Sequence, residues 1–130
     1  MKLNILIIDD EPRWINFTKK NPEMFNIVAV SDVETAMKEL AMGQFDLVIA
    51  SARHLDTLKM IHERYVDKPM VVTTVEPTSQ EARQAYRLGA RRYFAKSFDY
   101  NDLLQQIQKV LPTVYHTQHD VRIKKARKKE

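Results

Sequence analysis

Five short apolar runs, each followed by a stretch with helical periodicity, constrain what this 130-residue chain can fold into more than any other feature. The runs are KLNILII (2–8), a second over about 26–31, DLVIA (46–50), MVVTT (70–74) and RRYFA (91–95). Strands buried on one face alternate apolar and polar residues, whereas strands covered on both faces read as continuous apolar runs. Between them, Pro12 opens a helix running to about Lys20 that Asn21-Pro22 stops. Asp32 and Glu34 mark the start of VETAMKELAMG, where Val33, Ala36, Met37, Leu40 and Ala41 recur at helical spacing and Gly43 suits the end. Leu55, Leu58, Met60 and Ile61 predict a helix to about Tyr65. Thr78 or Ser79 caps a fourth over 78–89, and a fifth over 99–111 is stopped by Pro112. The alternation predicts an α/β fold: a doubly wound (βα)5 sandwich around one five-stranded parallel sheet, flavodoxin-like in class.

The net charge of +4 is unevenly placed. Residues 1–112 carry 15 Lys and Arg against 15 Asp and Glu, so the excess sits in residues 113–130, where six cations face two acids. The chain therefore divides into a domain over 1–112 and a basic tail over 113–130. Absence of cysteine excludes disulfides and thiolate metal sites, and fits a reducing cytoplasm. No apolar run approaches the roughly 18 residues of a transmembrane helix. The opening MKLNILIIDDEP meets acids too soon for a signal peptide and reads as a first strand.

Open parallel sheets place their chemistry beyond the carboxyl ends of the strands. Asp9 and Asp10 follow the first strand directly. Two adjacent acids repel by about 4 kcal/mol at 4 Å in an effective dielectric near 20, which a lysine or a divalent cation would relieve. Hard carboxylate oxygens suit Mg²⁺, which keeps several waters and needs only one or two protein ligands. Lys96, after the fifth strand, is the natural counter-ion, pairing with Asp10 or Asp9. Thr74 ends the fourth strand with a hydroxyl. The third strand, in FDLVIASARH, releases into Ser51.

These segments together resemble the receiver domain of two-component response regulators, the CheY-like fold, over roughly residues 2–112. ILIIDDEP is similar to the family's first strand and acidic pair, FDLVIAS to its third strand, and PMVVTT to its fourth with the hydroxyl residue Thr74. GARRYFAKSF is similar to the family's GAxxYLxKPF segment, which implies a switch aromatic at Tyr93 and the family lysine at Lys96. The resemblance implies a signalling module of the phosphorelay, not an enzyme, with a phosphoacceptor aspartate at the third strand's end. That position holds Ser51. The loop after it lacks the family's Met-Pro and Asp-Gly and is about two residues short, and Ser97 replaces a proline whose peptide bond readily goes cis. Serine would form a stable ester in place of a labile acyl phosphate, and its hydroxyl needs a base. Loss of the carboxylate also lowers the expected Mg²⁺ affinity, so no cofactor is required and weak Mg²⁺ binding is what the resemblance leaves. The expectation is an atypical receiver acting independently of phosphorylation.

Other residues carry lesser expectations. Asp56 is an alternative phosphoacceptor if the short loop folds inward, and otherwise a helix N-terminal acid. Trp14 reads as a half-buried helix residue, and Met37, Met42, Met60 and Met70 as core or near-core packing. His116 and His119 have helical metal spacing without a third ligand. The face of the fourth helix, fifth strand and fifth helix, where the family meets partners or a second copy as a homodimer, would present Gln80, Arg83, Gln84, Arg87, Arg92, Gln105 and Gln108. The tail offers an alternative function, salt-sensitive binding to nucleic acid or an anionic surface. With only Gly43 and Gly89, the chain has no glycine-rich phosphate loop.

Overall fold

Five parallel strands form one sheet in the order β2-β1-β3-β4-β5 in the computed structural model, which describes residues 2–111. The strands are β1 (Leu3–Ile8), β2 (Phe25–Val30), β3 (Leu47–Ser51), β4 (Met70–Thr74) and β5 (Arg92–Ala95). They alternate with α1 (Pro12–Thr18), α2 (Val33–Met42), α3 (Leu55–Arg64), α4 (Ser79–Arg87) and α5 (Tyr100–Val110). The expected fold class is the observed one. β2 begins one residue before its expected start, and β3 extends one residue further to include Ser51, followed by a 3₁₀ turn over Ala52–His54.

Side chains alternate across each strand, and this sorts the core into two layers. On one face Leu6, Ile8, Val48, Ala50, Met70 and Val72 meet α2, α3 and α4 through Ala36, Leu40, Leu58, Ile61 and Ala85. On the other, Ile5, Ile7, Leu47, Ile49, Val71 and Phe94 meet α1 and α5 through Trp14, Phe17, Leu103 and Ile107. Two of the expected core methionines are not there: Met42 is 79% exposed and Met60 48%. Each lies two residues from a buried leucine, Leu40 or Leu58, about 200° round the helix from the apolar stripe. Met37 packs against the core and Met70 is buried. Trp14 also departs from expectation, being fully buried.

Side-chain caps fix three helix starts: Asp32, Thr78 and Asp99 accept from the backbone N–H of Thr35, Glu81 and Asn101. The exposed Asp32 carboxyl is held below its ordinary value, chiefly by that Thr35 N–H. After α4 the chain turns at Gly89, with φ of +110°, and a Cβ there would lie 2.5 Å from the His62 ring. Gly89→Ala is therefore expected to cost about 1–3 kcal/mol from the backbone alone. Urea unfolding should show a lower midpoint at unchanged slope, and adding His62→Ala should recover only the steric part. An unchanged midpoint in Gly89→Ala would contradict the strained turn.

Candidate functional site

The sheet order makes β1 and β3 neighbours whose following helices pack on opposite faces, and a cleft opens above their carboxyl ends. Its volume is about 630 Å³, and its lining includes Asp9, Asp10, Glu11, Ser51, Thr74 and Lys96. Register explains the convergence: Ile8 pairs with Ala50 and Ser51 with Thr73, so Asp9 continues β1 beside Ser51. The Asp9 N–H donates to the Val30 carbonyl and the Lys96 N–H to the Thr74 carbonyl, extending the ladder by one residue at both places.

Lys96 is the centre of the charge arrangement. Its Nζ lies 2.8 Å from Asp9 Oδ2, an ion-pair contact off the hydrogen-bond direction, and donates to Glu11 Oε2 at 2.7 Å. The side chains of Lys96 and Asp9 are 6% and 2% exposed, and that of Glu11 is 35% exposed. Asp9 Oδ1 accepts from the Glu11 N–H at 3.0 Å. The ammonium also lies 5.9 Å from the centroid of the Trp14 ring, within cation–π range. The expected pairing of Lys96 with Asp9 is present, but that with Asp10 is not: Asp10 is exposed, and Glu11 takes its place. The signal for Glu11 was the extended backbone at residue 11, since alternate residues of an extended chain share a side. Asp9 and Glu11 both reach Lys96, whereas Asp10 forms no ion pair with it.

Ser51 is 5% exposed, and its Oγ accepts from the Arg53 N–H at 3.3 Å, capping the 3₁₀ turn. No hydrogen bond joins it to a base among the described residues, and His54 lies in that turn with its Nε2 buried and unpartnered. Asp56 is exposed in the first turn of α3 and does not line the cleft. Thr74 is buried at the end of β4 and lines the cleft. Every peptide bond among the described residues is trans, that before Ser97 included.

Tyr93 leans the other way from Lys96, toward α4. Its hydroxyl donates to Glu81 Oε1 at 2.6 Å and accepts from the Thr78 N–H at 3.0 Å, tying β5 to the first turn of α4. Glu81 was missed because nothing in the sequence pairs residues twelve apart. On the expected partner face Gln80, Arg83, Gln84, Arg87 and Gln105 are exposed, while Arg92 and Gln108 are half-buried. His116, His119 and the tail lie outside the described residues.

The donor set does not fit a resident Mg²⁺. A divalent ion is held by carboxylate oxygens; here Asp9 and Glu11 both contact Lys96, Asp10 is exposed, and the end of β3 offers a neutral serine hydroxyl. No group of three potential metal-ligating side chains occurs among the described residues.

Comparison with known proteins adds the lineage. Residues 5–108 match the response regulator receiver domain family. The chain is 27% identical over 113 residues to the heme response regulator HssR of Staphylococcus saprophyticus, covering 82% of this chain and 50% of that protein. It is 28% identical over 117 residues to the DNA-binding transcriptional regulator NtrC of Proteus hauseri, covering 85% and 25%. The chain thus spans half or less of the length of these two relatives. Among solved structures, a response regulator from Thermotoga maritima superposes with a TM-score of 0.77 at 19% identity, covering 87% of this chain and 100% of that one. The Vibrio cholerae chemotaxis protein CheY4 gives 0.78 at 18%, covering 85% and 99%. At such identities these two structures show a shared fold.

Removing one partner of a buried ion pair costs about 3–5 kcal/mol because the other charge is left uncompensated, so Lys96→Met should lower the unfolding midpoint in urea by a corresponding amount. A loss near zero would mean that Asp9 gains nothing from its partner. Tyr93 titrates above its ordinary 10.0, through burial first and the Glu81 hydrogen bond second, with the Thr78 N–H opposing. The folded state therefore holds this proton more tightly; the stability it contributes is complete below pH 10.0 and lost as pH rises through the raised value. Phenolate absorbance should show a late-titrating tyrosine that Tyr93→Phe abolishes; persistence of the late phase in that variant would count against the assignment.

Proposed function

The chain belongs to the response regulator receiver family, and on that premise we propose that it is a pseudo-receiver: a two-component signalling module that works by protein contact, without phosphorylation. The observation that carries the reading is Ser51. On this assignment Ser51 stands at the phosphoacceptor position, and its hydroxyl caps a turn and is hydrogen-bonded to no base among the described residues. A serine hydroxyl is a weak nucleophile until a neighbouring base takes its proton. Asp9 and Asp10 are then the remains of the acidic pocket, and Thr74, Tyr93 and Lys96 the switch-like set.

Receiver domains pass signals to partner proteins or effector domains. No helix among the described residues is long and apolar enough to cross a membrane, and a cytoplasmic place beside a signalling partner suits the reading. The face assigned to the partner is α4, β5 and α5, where exposed Arg83 and Arg87 lie among amides, which favours an acidic partner. Residues 1–112 form the receiver unit on this reading, with the basic tail beyond it.

The test is intact mass after incubation with acetyl phosphate and Mg²⁺, followed by peptide mapping. The expected result is no added phosphate, with partner binding or oligomeric state unchanged by the donor. A stoichiometric gain of one phosphate, mapped to Ser51 or Asp56 and lost on mutating that residue, would replace this reading with an active regulator of displaced chemistry.

A further inference from the structure

The geometry points to a binding site for a small neutral carboxamide in the cavity between β5 and α5, with Trp14 and Gln106 as its hydrogen-bonding pair. Nothing in this site depends on Ser51 or on the carboxylates after β1.

The cavity holds about 230 Å³, and its walls include Trp14, Phe94, Ser97, Asp102, Leu103 and Gln106. That is about seven water-sized volumes of ~30 Å³ each, more than a single bridging water fills. It is smaller than the ~300 Å³ at which drug-sized sites begin, so it suits a fragment the size of benzamide. Phe94 and Leu103 belong to the core layer under α1 and α5 and make an apolar wall. Ser97 and Asp102 are engaged with each other: the serine hydroxyl donates to Asp102 Oδ2 at 2.8 Å and accepts the Asp99 N–H at 3.2 Å. Trp14 and Gln106 have no such engagement. Trp14 is fully buried, yet its Nε1 has no hydrogen-bond partner, and Gln106 Oε1 is likewise buried and unpartnered. The neighbours that fix the indole cannot serve it: Phe17 and Phe98 offer rings, and Lys96 offers only donors.

One free donor and one free acceptor in the same walls set the chemistry of the ligand. A carboxamide brings a carbonyl for the indole N–H and an N–H for the glutamine oxygen, in one plane and without charge. A carboxylate lacks the donor and would enter beside the Asp102 carboxylate; an amine lacks the acceptor. An aromatic ring on the carboxamide would lie against Phe94 and Leu103. Gln106 is half-buried on α5, and its amide has to turn to admit the ligand, because both unpartnered atoms are screened from solvent.

The experiment uses the isotope-labelled full chain, in which Trp14, the single tryptophan, gives one indole N–H resonance. It is titrated with benzamide, with acetophenone and with sodium benzoate at matched ionic strength. Benzamide should shift the resonance saturably, and Tm should rise with the logarithm of its concentration above saturation. Acetophenone has the same shape and carbonyl but a methyl group in place of the amide nitrogen. It should bind roughly tenfold more weakly, the loss expected when the glutamine oxygen stays unpaired. Benzoate should do no more than salt. Gln106→Leu should remove the preference for benzamide over acetophenone. Absence of a shift with benzamide up to its solubility limit would overturn the site, as would equal affinity for the two ligands or a preference that survives Gln106→Leu. If Gln106→Leu does not fold, the comparison of ligands on the natural chain decides by itself. No phosphodonor is present, so the pseudo-receiver reading stands or falls separately, on the acetyl phosphate measurement.

Discussion

Lys96 and Asp9 stand 87 positions apart in sequence, at the ends of strands that β3 and β4 separate in the sheet, yet their charges meet at 2.8 Å. That contact sets much of the carboxyl edge. It draws the segment after β5 toward the segment after β1 and gives a buried carboxylate its counter-charge. Trp14 then lies beneath the ammonium, so the first turn of α1 is positioned by the same group. Phe17 and Phe98 stack around Trp14 at centroid separations of 5.5 and 5.9 Å, carrying the arrangement into the loop that precedes α5. A buried pair of this kind gains little net stability over an apolar replacement, because desolvation offsets most of the attraction. Its effect is to specify which segments meet.

The layers of the fold were legible because they depend on period alone. Continuous apolar strands and helical stripes report burial on both faces, and the helices end within about two residues of their capping and stopping signals. What the sequence hid were contacts between elements. Asp10 is adjacent to Asp9 and as acidic, and only the extended backbone through residue 11 decides that Glu11, not Asp10, shares the lysine. The exposed methionines were lost for a related reason: hydrophobic character was counted without asking whether Met42 and Met60 fell on the buried stripe. Trp14 was placed on its helix correctly, but its burial involves Phe17 of the same helix together with Lys96 and Phe98 from the distant segment between β5 and α5.

β5 couples the two halves of the candidate site. Tyr93 and Lys96 are separated by an odd number of residues, so they leave the strand toward opposite faces of the sheet. Lys96 addresses α1 through Trp14, and Tyr93 addresses α4 through Glu81 and Thr78. Both therefore respond to any displacement of one four-residue strand. In a receiver controlled by phosphate, the charge arriving at β3 biases such an arrangement. With Ser51 capped and Lys96 satisfied locally, that source of bias is missing on the pseudo-receiver reading.

A module without its own switch input can still transmit a signal if a partner binds its alternative states unequally, and only to the extent of that inequality. The Tyr93 hydroxyl makes α4 the element on which such a difference would act. Its bonds to Glu81 and Thr78 both lie in the turn that starts that helix, so moving the tyrosine releases two contacts at once. The Lys96 cluster, more deeply buried and held by two carboxylates and a ring, would move less. On the pseudo-receiver reading, a partner would act on the half of β5 that faces α4, with the Lys96 cluster as the more fixed part.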